Sequence, residues 1–220
     1  LIAGDTLTVA TATGAFADKN AGTNKTVNIS GITLGGVDAA NYSLVSSTAT
    51  TTGTITQAQI SAITGITATS RPYDGTTAAS LTTSGANFTG LIAGDNLTVA
   101  TATGAFADKN AGTNKTVNIS GITLGGADVA NYSLVSSNAF TTGTITPATL
   151  TVSGLTAEGK VYDGTTTATV LTSGLTRSGL ITGDVVDFKF SAAFADKNAG
   201  ANKSVLFSTA ISGADAGNYQ

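Results

Sequence analysis

Short runs of alternating apolar and polar residues recur along this chain, and a period of two predicts half-buried β-strands. In the clearest run, Val186, Phe188 and Phe190 alternate with charged residues. The segments 97–99 and 115–124 show the same alternation. The pattern therefore predicts strands that bury one face and expose the other to water.

Turn-forming residues separate these runs. The β-branched segment 60–69 is followed by Tyr-Asp-Gly at 73–75. Asp-Gly between strand formers predicts a type I′ hairpin turn, which needs positive φ at both central residues, and we expect a strand over 76–83 after it. The other predicted elements are a loop or single helical turn at 106–112, anchored by Phe106, and two last strands near 133–137 and 141–146.

The composition agrees with an all-β fold. Thr, Val and Ile are abundant, whereas Glu occurs once, at Glu158, and other strong helix formers are scarce. About six to eight short strands per module, at regular turn spacing, predict a small β-sandwich or β-grasp-like fold.

The chain contains internal repeats. Residues 1–56 and 91–146 align without a gap and differ at five positions, and a more divergent copy starts at Leu180. The repeat of about 89 residues predicts tandem modules. We predict a partial repeat at 1–56, a complete module at 57–146 and a module lacking its last strands at 147–220. Since no flexible linker composition follows residue 146, we expect the modules to form an elongated rod.

Two of the five differences are complementary. One copy has Val37 and Ala39, and the other has Ala127 and Val129. Positions two apart in an extended chain share a face. We therefore predict that each pair fills one small pocket at constant volume.

Several classes of function are excluded by residue content. The chain has a net charge of −3 and only 10% charged residues, so it lacks the excess of basic residues that is typical of nucleic-acid binding. The absence of Cys and His excludes disulfides, the usual zinc sites and Ser-His or Cys-His nucleophiles.

Repetition also leaves few residues for a unique active site. Of 23 charged residues, 19 recur in other copies. The four that do not recur are Glu158, Arg177, Asp187 and Lys189. We therefore predict that the protein is not an enzyme and has no catalytic, cofactor-binding or metal-binding residues.

All five tyrosines lie in two recurring motifs. Tyr73 and Tyr162 belong to Tyr-Asp-Gly, and Tyr42, Tyr132 and Tyr219 follow asparagine. Aromatic residues at fixed repeat positions predict core anchors whose hydroxyl groups bond to the backbone, as in a tyrosine corner.

Three interpretations of the recurring polar residues stay open. The segment 108–112 predicts a turn held by Asp and Asn side chains bonding to their own backbone. Calcium could bind at module junctions if scattered aspartates converge there. A Lys–Asn amide cross-link would have Lys115, Asn131 and Asp128 as its candidates by residue type.

Taken together, these motifs resemble the YDG-type repeats of large bacterial surface adhesins of the filamentous-haemagglutinin-like kind. The motifs that carry the resemblance are Tyr-Asp-Gly-Thr-Thr at 73–77 and 162–166, Gly-Asp at 94–95 and 183–184, Phe-Ala-Asp-Lys-Asn-Ala-Gly at 106–112, and Gly-Ala-Asp-x-x-Asn-Tyr at 126–132 and 213–219. The resemblance implies an exported cell-surface or fibre-forming protein, with no enzymatic activity and no known ligand residues.

We therefore expect a structural stalk or fibre repeat of an extracellular, cell-surface adhesin, which provides length and stiffness. One alternative is a self-assembling matrix filament, as in a biofilm, in which modules pair their strands between chains. The other is a weak, multivalent module that binds glycans or cells. The expected partners are neighbouring repeats, other copies of the protein and an unidentified surface receptor or glycan, with no nucleic acid and no membrane insertion by this segment.

Overall fold

The computed structural model describes residues 1–220 and confirms the predicted all-β class. The strands are β1 Thr8–Phe16, β2 Gly22–Gly35, β3 Ala49–Ile55, β4 Ala58–Ile60, β5 Ala62–Thr64, β6 Thr67–Ala68, β7 Arg71–Pro72, β8 Ala78–Ala79, β9 Leu81–Thr82, β10 Asn87–Thr89, β11 Thr98–Phe106, β12 Gly112–Gly125, β13 Tyr132–Leu134, β14 Ala139–Thr146, β15 Thr151–Ser153, β16 Thr156–Ala157, β17 Thr167–Ala168, β18 Val170–Leu171, β19 Thr176–Ser178, β20 Asp187–Phe194 and β21 Val205–Ser212. Short 3₁₀ segments occur at Ala39–Asn41, Val129–Asn131 and Ala216–Asn218. None of the helical segments has the length and apolar character needed to cross a membrane.

The chain folds into two compact units. The first unit contains Leu1–Thr64, Ala86–Thr101 and Ile122–Ser137, and the second contains Gly65–Gly85, Ala102–Gly121 and Asn138–Gln220. We refer to residues 1–56, 57–146 and 147–220 as the first, second and third copies. Each compact unit combines segments of two successive copies. The predicted module boundaries stay a prediction.

In the first unit, β2 lies between β1 and β3 in an antiparallel sheet. The second copy contributes two smaller pairs, β13 with β4 in parallel and β10 with β5 antiparallel. The buried apolar side chains of this unit include Ile60, Leu97, Ile122 and Tyr132. All four come from the second copy, which therefore supplies much of the core of this unit.

The second unit contains β7, β8, β14 and parts of β11 and β12, which form a five-stranded sheet in the order β7-β14-β12-β11-β8. It also contains a three-stranded sheet in the order β17-β20-β21. Its core joins Tyr73, Phe106, Val117 and Ile145 of the second copy to Tyr219 of the third. Burial of these side chains is the main apolar stabilisation of the unit.

The predicted Asp-Gly hairpin is wrong. The strands on either side of Tyr-Asp-Gly, β7 and β8, lie at opposite edges of the five-stranded sheet. Positive φ occurs at Gly75 (78°) but not at Asp74. The Asp74 carboxylate instead accepts hydrogen bonds of 2.8 Å from the backbone N–H and the hydroxyl of Thr76. This side-chain cap replaces the hairpin turn, and the strand expected over 76–83 is reduced to β8 and β9.

The alternating patterns were better predictors. The alternation at 115–124 lies within β12. In β20, Phe188 and Phe190 are half-buried, whereas Asp187 and Lys189 are exposed. These strands confirm the half-buried strands that the alternation predicted.

The predicted Val/Ala pocket is wrong. Val37 lies in a turn and is 90% exposed, and Ala127 at the same position of the second copy is also exposed. The backbone there leads into a 3₁₀ segment that starts at Ala39. Because this backbone is not extended, the two positions do not share a face. Position 37 varies at the surface, whereas Ala39 and Val129 are half-buried.

One recurring asparagine has a backbone explanation. Asn24, Asn114 and Asn202 have φ of 53°, 51° and 53°. In β12, Asn114 lies in the irregularity between Gly112 and Lys115, where the register with β14 shifts. Asparagine tolerates this left-handed conformation better than other residues with a side chain, which accounts for its presence in every copy.

We predict that Gly143→Val destabilises the second unit. A Cβ at Gly143 would lie 3.0 Å from Phe106 Cε1 and 3.2 Å from Ala68 Cβ. Phe106 is 3% exposed and cannot move aside easily. Overpacking of this kind costs about 1–3 kcal/mol.

Urea unfolding of the full chain, with hydrogen exchange resolved by peptide, measures this loss. Gly159→Val is the matched control, because a Cβ at Gly159 meets no atom within 4 Å. Equal stability of the two variants would contradict the proposed packing of β14 over Phe106.

Candidate functional site

The recurring loop Phe-Ala-Asp-Lys-Asn-Ala-Gly has the same internal bonds in every copy. In the second copy, Asp108 Oδ1 accepts hydrogen bonds from Asn110 N at 2.8 Å and from Lys115 Nζ at 2.6 Å. Asp18 and Asp196 accept the corresponding bonds. The predicted turn is confirmed for its aspartate, whereas the side chains of Asn20 and Asn110 bind the next copy instead of their own backbone. The aspartate cap fixes the position of the lysine that follows it.

In the second unit, that lysine binds carboxylates of the next copy. Lys109 Nζ lies 2.8 Å from Asp184 Oδ1 and 3.5 Å from Asp215 Oδ1. The other oxygen of Asp184 accepts hydrogen bonds from Tyr73 at 2.7 Å and Tyr219 at 2.6 Å. The Asp184 side chain is only 3% exposed. A carboxylate so deeply buried requires these donors.

An asparagine adds a second set of contacts between the same two copies. Asn218 Oδ1 accepts a hydrogen bond of 2.8 Å from Ala111 N, and its amide donates to Asn110 Oδ1 at 3.3 Å. Asn218 is 4% exposed. We call the whole set the second clasp: Tyr73, Lys109, Asn110 and Ala111 of the second copy with Asp184, Asp215, Asn218 and Tyr219 of the third.

The first unit contains the same arrangement one repeat earlier. Lys19 Nζ lies 2.5 Å from Asp95 Oδ1 and 3.8 Å from Asp128 Oδ1. Tyr132 donates to Asp95 at 2.7 Å. Asn131 Oδ1 accepts from Ala21 N at 2.8 Å. We call this set, together with Asn20, the first clasp.

The tyrosine of the Tyr-Asp-Gly motif covers the second clasp, in which Lys109 is 39% exposed. The Tyr73 ring lies edge-on to Tyr219, with centroids 5.5 Å apart, and 5.7 Å from Lys109 Nζ. Tyr73 therefore shields the second clasp and strengthens its electrostatic contacts.

The electrostatics keep the second clasp ionised. Burial acts to raise the pKa of Asp184, but hydrogen bonds from Lys109, Tyr219 and Tyr73 outweigh it and hold the pKa below its ordinary value. The hydrogen bond to Asp184 raises the pKa of Lys109. Burial, together with the Asp184 carboxylate, raises the pKa of Tyr219 to about 12. The lysine therefore stays a charged donor and is not available as a nucleophile.

The comparisons with known proteins agree with the repeat pattern. The YDG domain matches the chain three times, over residues 1–52, 56–140 and 146–220. The chain belongs to the YDG domain family. Comparison with curated proteins and with solved structures gave no match. Tyr73 is the tyrosine of the YDG motif itself, so the motif of one YDG repeat reaches the carboxylate of the next.

Each of the three cross-link candidates binds another partner. Lys115 Nζ binds Asp108, Asn131 binds Ala21, and Asp128 accepts a hydrogen bond of 2.8 Å from Asn96 N. Nowhere in residues 1–220 do three or more carboxylate, histidine or cysteine side chains form a group that could hold a metal ion. Where two aspartates converge, the lysine ammonium of the clasp lies between them.

The tyrosine predictions are confirmed in part. The hydroxyl groups of Tyr42, Tyr132 and Tyr219 accept backbone N–H bonds of 2.9, 3.1 and 3.0 Å, as expected. Tyr162 is 60% exposed and is not a core anchor. Sequence reasoning missed the bond from Tyr73 to Asp184 and the pairing of lysine with the following repeat. The recurrence of Gly-Asp and of the loop lysine in every copy was the available signal.

We predict that Asp184→Asn weakens the second unit more than Asp95→Asn weakens the first. The amide removes a charged acceptor shared by Lys109, Tyr73 and Tyr219, and a buried group left without its partner costs about 1–3 kcal/mol. Asp187→Asn, at an exposed position outside the clasps, should change stability by no more than about 0.5 kcal/mol. Urea unfolding monitored by hydrogen exchange, resolved by peptide, measures the loss of stability in each unit and so ranks the three variants.

Asp184→Asn should also change how the stability of the second unit depends on pH. Because the folded pKa of Asp184 lies below its ordinary value of 3.8, its contribution is complete above that value and is lost as pH falls through the lowered pKa. Asp184→Asn should therefore flatten the acid limb of the stability curve of the second unit. An unchanged acid limb would contradict an ionised clasp.

Proposed function

We propose that these YDG repeats form a stalk or fibre segment of a bacterial surface adhesin and provide length and stiffness outside the cell. The observation that carries the proposal is the clasp. In each compact unit, residues of one repeat bind residues of the next through a buried carboxylate and a buried or half-buried asparagine. Contacts of this kind join neighbours mechanically and need no ligand.

The connection between the second and third copies is also held by backbone bonds. Ala148 N donates to Asn218 O at 2.8 Å, and Leu150 N donates to Gln220 O at 2.8 Å. Tyr73 N donates to Thr146 O at 2.8 Å, just before Pro147. A segment bonded on both sides differs from a flexible linker, in which such groups bond to water. These bonds support a stiff joint.

The residue inventory supports the same function. The recurring charges Lys109, Asp184 and Asp215 are used in holding repeats together, which leaves few charged groups for binding or chemistry. The absence of Cys and Met suits an exposed extracellular location, because these are the residues most readily oxidised. The resemblance to filamentous-haemagglutinin-like adhesins supports the surface location.

We predict that spin labels in the second and third copies, both within the second unit, report one narrow distance distribution. The chain has no cysteine, so Phe140→Cys and Leu206→Cys, both at highly exposed positions, can be labelled selectively. Pulsed electron paramagnetic resonance measures the distribution. A stalk held by clasps gives a single narrow peak, which Asp184→Asn broadens, because the variant loses the charged bond between copies.

Asp187→Asn in the same labelled chain is the matched control and should leave the peak width unchanged. A broad distribution in the unaltered chain would show that the repeats behave as flexibly linked beads. That result would contradict the proposal of a stiff stalk.

A further inference from the structure

A short polar motif recurs in all three copies and belongs to neither clasp. It is Asn-Lys-Thr at 24–26 and 114–116, and Asn-Lys-Ser at 202–204. Each has the form Asn-x-Ser/Thr with x other than proline, which is the acceptor sequence for N-linked glycosylation. The chain contains nine motifs of this form, and only this one occurs in every copy. Because the chain is rich in Thr and Ser, the motif also arises by chance, and the surroundings of each asparagine decide whether it can accept a sugar.

The divergent third copy separates this motif from the other polar residues of the same segment. It has Leu206 at the position of Asn118 and therefore lacks the motif Asn-Ile-Ser of the second copy. It has Ser204 at the position of Thr116, which keeps the hydroxyl group. The asparagine and the hydroxyl two residues after it are thus kept together where a neighbouring polar position changes.

The fold accounts for the asparagine and the lysine of the motif but not for the hydroxyl. Asn114 has a φ of 51°, and Lys115 binds the aspartate of the preceding loop at 2.6 Å. Thr116 is exposed, and its hydroxyl makes no hydrogen bond with another group of the chain. The same is true of Thr26 and Ser204. The hydroxyl group of each motif is therefore free to contact another molecule.

The asparagine side chains are accessible as well. Asn24, Asn114 and Asn202 are exposed, and their amide groups make no hydrogen bond within the chain. Asn114 lies at the register shift between β12 and β14, where residues 113 and 114 together oppose Thr144. Such a bulge leaves one residue outside the regular ladder of the sheet. The amide of Asn114 can therefore be approached without separating the strands.

Asn131 has the same kind of motif in the opposite surroundings. It begins Asn-Tyr-Ser at 131–133, but it is half-buried in the first clasp. Its Oδ1 accepts a hydrogen bond of 2.8 Å from Ala21 N, and its Nδ2 donates to Asn20 Oδ1 at 3.2 Å. A sugar on this nitrogen would break contacts between two copies. The chain thus contains an available acceptor motif and an occupied one.

We propose that Asn24, Asn114 and Asn202 are acceptor sites for N-linked glycosylation. The donor is a sugar activated as its 1-diphosphate ester on a nucleoside or on a polyprenyl lipid. The amide nitrogen forms a bond to C1 of the sugar, while the bond from C1 to the diphosphate oxygen breaks and that oxygen keeps the electron pair. The amide proton passes to a base of the transferase. The hydroxyl two residues further on is the group by which the transferase recognises the motif.

The three sites are independent of the joints between repeats. None of the hydrogen bonds that join one copy to the next uses the side chains of Asn24, Asn114 or Asn202. A glycan at each site would add a bulky, hydrophilic group in every repeat. The proposal does not rest on the stalk function, and either can fail without the other.

Glycosylation of the folded, full chain in vitro tests the proposal. One reaction contains an oligosaccharyltransferase and a polyprenyl-diphosphate oligosaccharide, and a parallel one contains a soluble N-glycosyltransferase and a nucleoside-diphosphate hexose. Site-resolved mass spectrometry measures the occupancy of each asparagine. We expect at least about tenfold higher occupancy at Asn24, Asn114 and Asn202 than at Asn131 in one of the reactions, because Asn131 must first lose its hydrogen bonds. The reaction that modifies the chain identifies the carrier of the sugar.

Single substitutions test the role of the hydroxyl group. Thr116→Ala should abolish occupancy at Asn114 and leave the other two sites unchanged, whereas Thr116→Ser should preserve it. Thr113→Ala is the matched control, because it removes an exposed threonine next to the motif and the third copy has Ala201 at that position. Loss of occupancy in Thr113→Ala, or full occupancy in Thr116→Ala, would overturn the proposal.

A peptide with the sequence of residues 110–118 is the positive control for both enzymes, because it presents the motif without the fold. If the peptide is modified and the three asparagines of the folded chain are not, the proposal is wrong. Equal occupancy at Asn131, or modification only after the chain is unfolded in urea, would also contradict it, since the sites would then owe nothing to their place in the fold.

Discussion

The carboxylate of Asp184 is the group on which the second unit depends. Its side chain is 3% exposed, and an unpaired charge in such a place would be strongly destabilising. Three donors offset this cost, namely Lys109, Tyr73 and Tyr219. Two of them belong to the preceding repeat. The third copy therefore does not satisfy its buried aspartate alone, and the second copy supplies the missing donors.

This dependence explains which positions are constant between copies and which drift. The residues of the clasp and of the loop that positions its lysine are the same in every copy that contains them. Thr50 is replaced by Phe140 in the second copy, where the phenylalanine is 82% exposed. Val37 is 90% exposed and is replaced by alanine. At positions 37 and 50 the first two copies thus vary where the side chain meets water, whereas the residues that meet the next repeat are constant.

Period-two alternation predicted the strands well, because successive residues of a half-buried strand face the core and the solvent in turn along its whole length. The long strands β12 and β20 were predictable for this reason. The Asp-Gly rule failed because it considers backbone φ alone, whereas the Asp74 side chain caps Thr76 and holds the chain in another turn. The order of strands in the sheet, which separates β7 from β8, is a long-range property that local patterns do not contain.

The clasp was still harder to predict. Lys109 and Asp184 are 75 residues apart, and Lys19 and Asp95 are 76 apart. Nothing local distinguishes such a lysine from a solvated one, and recurrence alone was compatible with a surface role. The folded chain was needed to show that the recurring charges of one repeat meet those of the next.

The YDG motif can now be explained residue by residue, as part of the joint between repeats. The tyrosine, Tyr73, donates to the buried carboxylate of the following copy. The aspartate, Asp74, caps the turn that places the tyrosine there. The glycine, Gly75, has a φ of 78°, and a Cβ on it would lie 3.0 Å from Ile181 Cγ2 of the next copy. A side chain at this position would be strained and would also push the next repeat away.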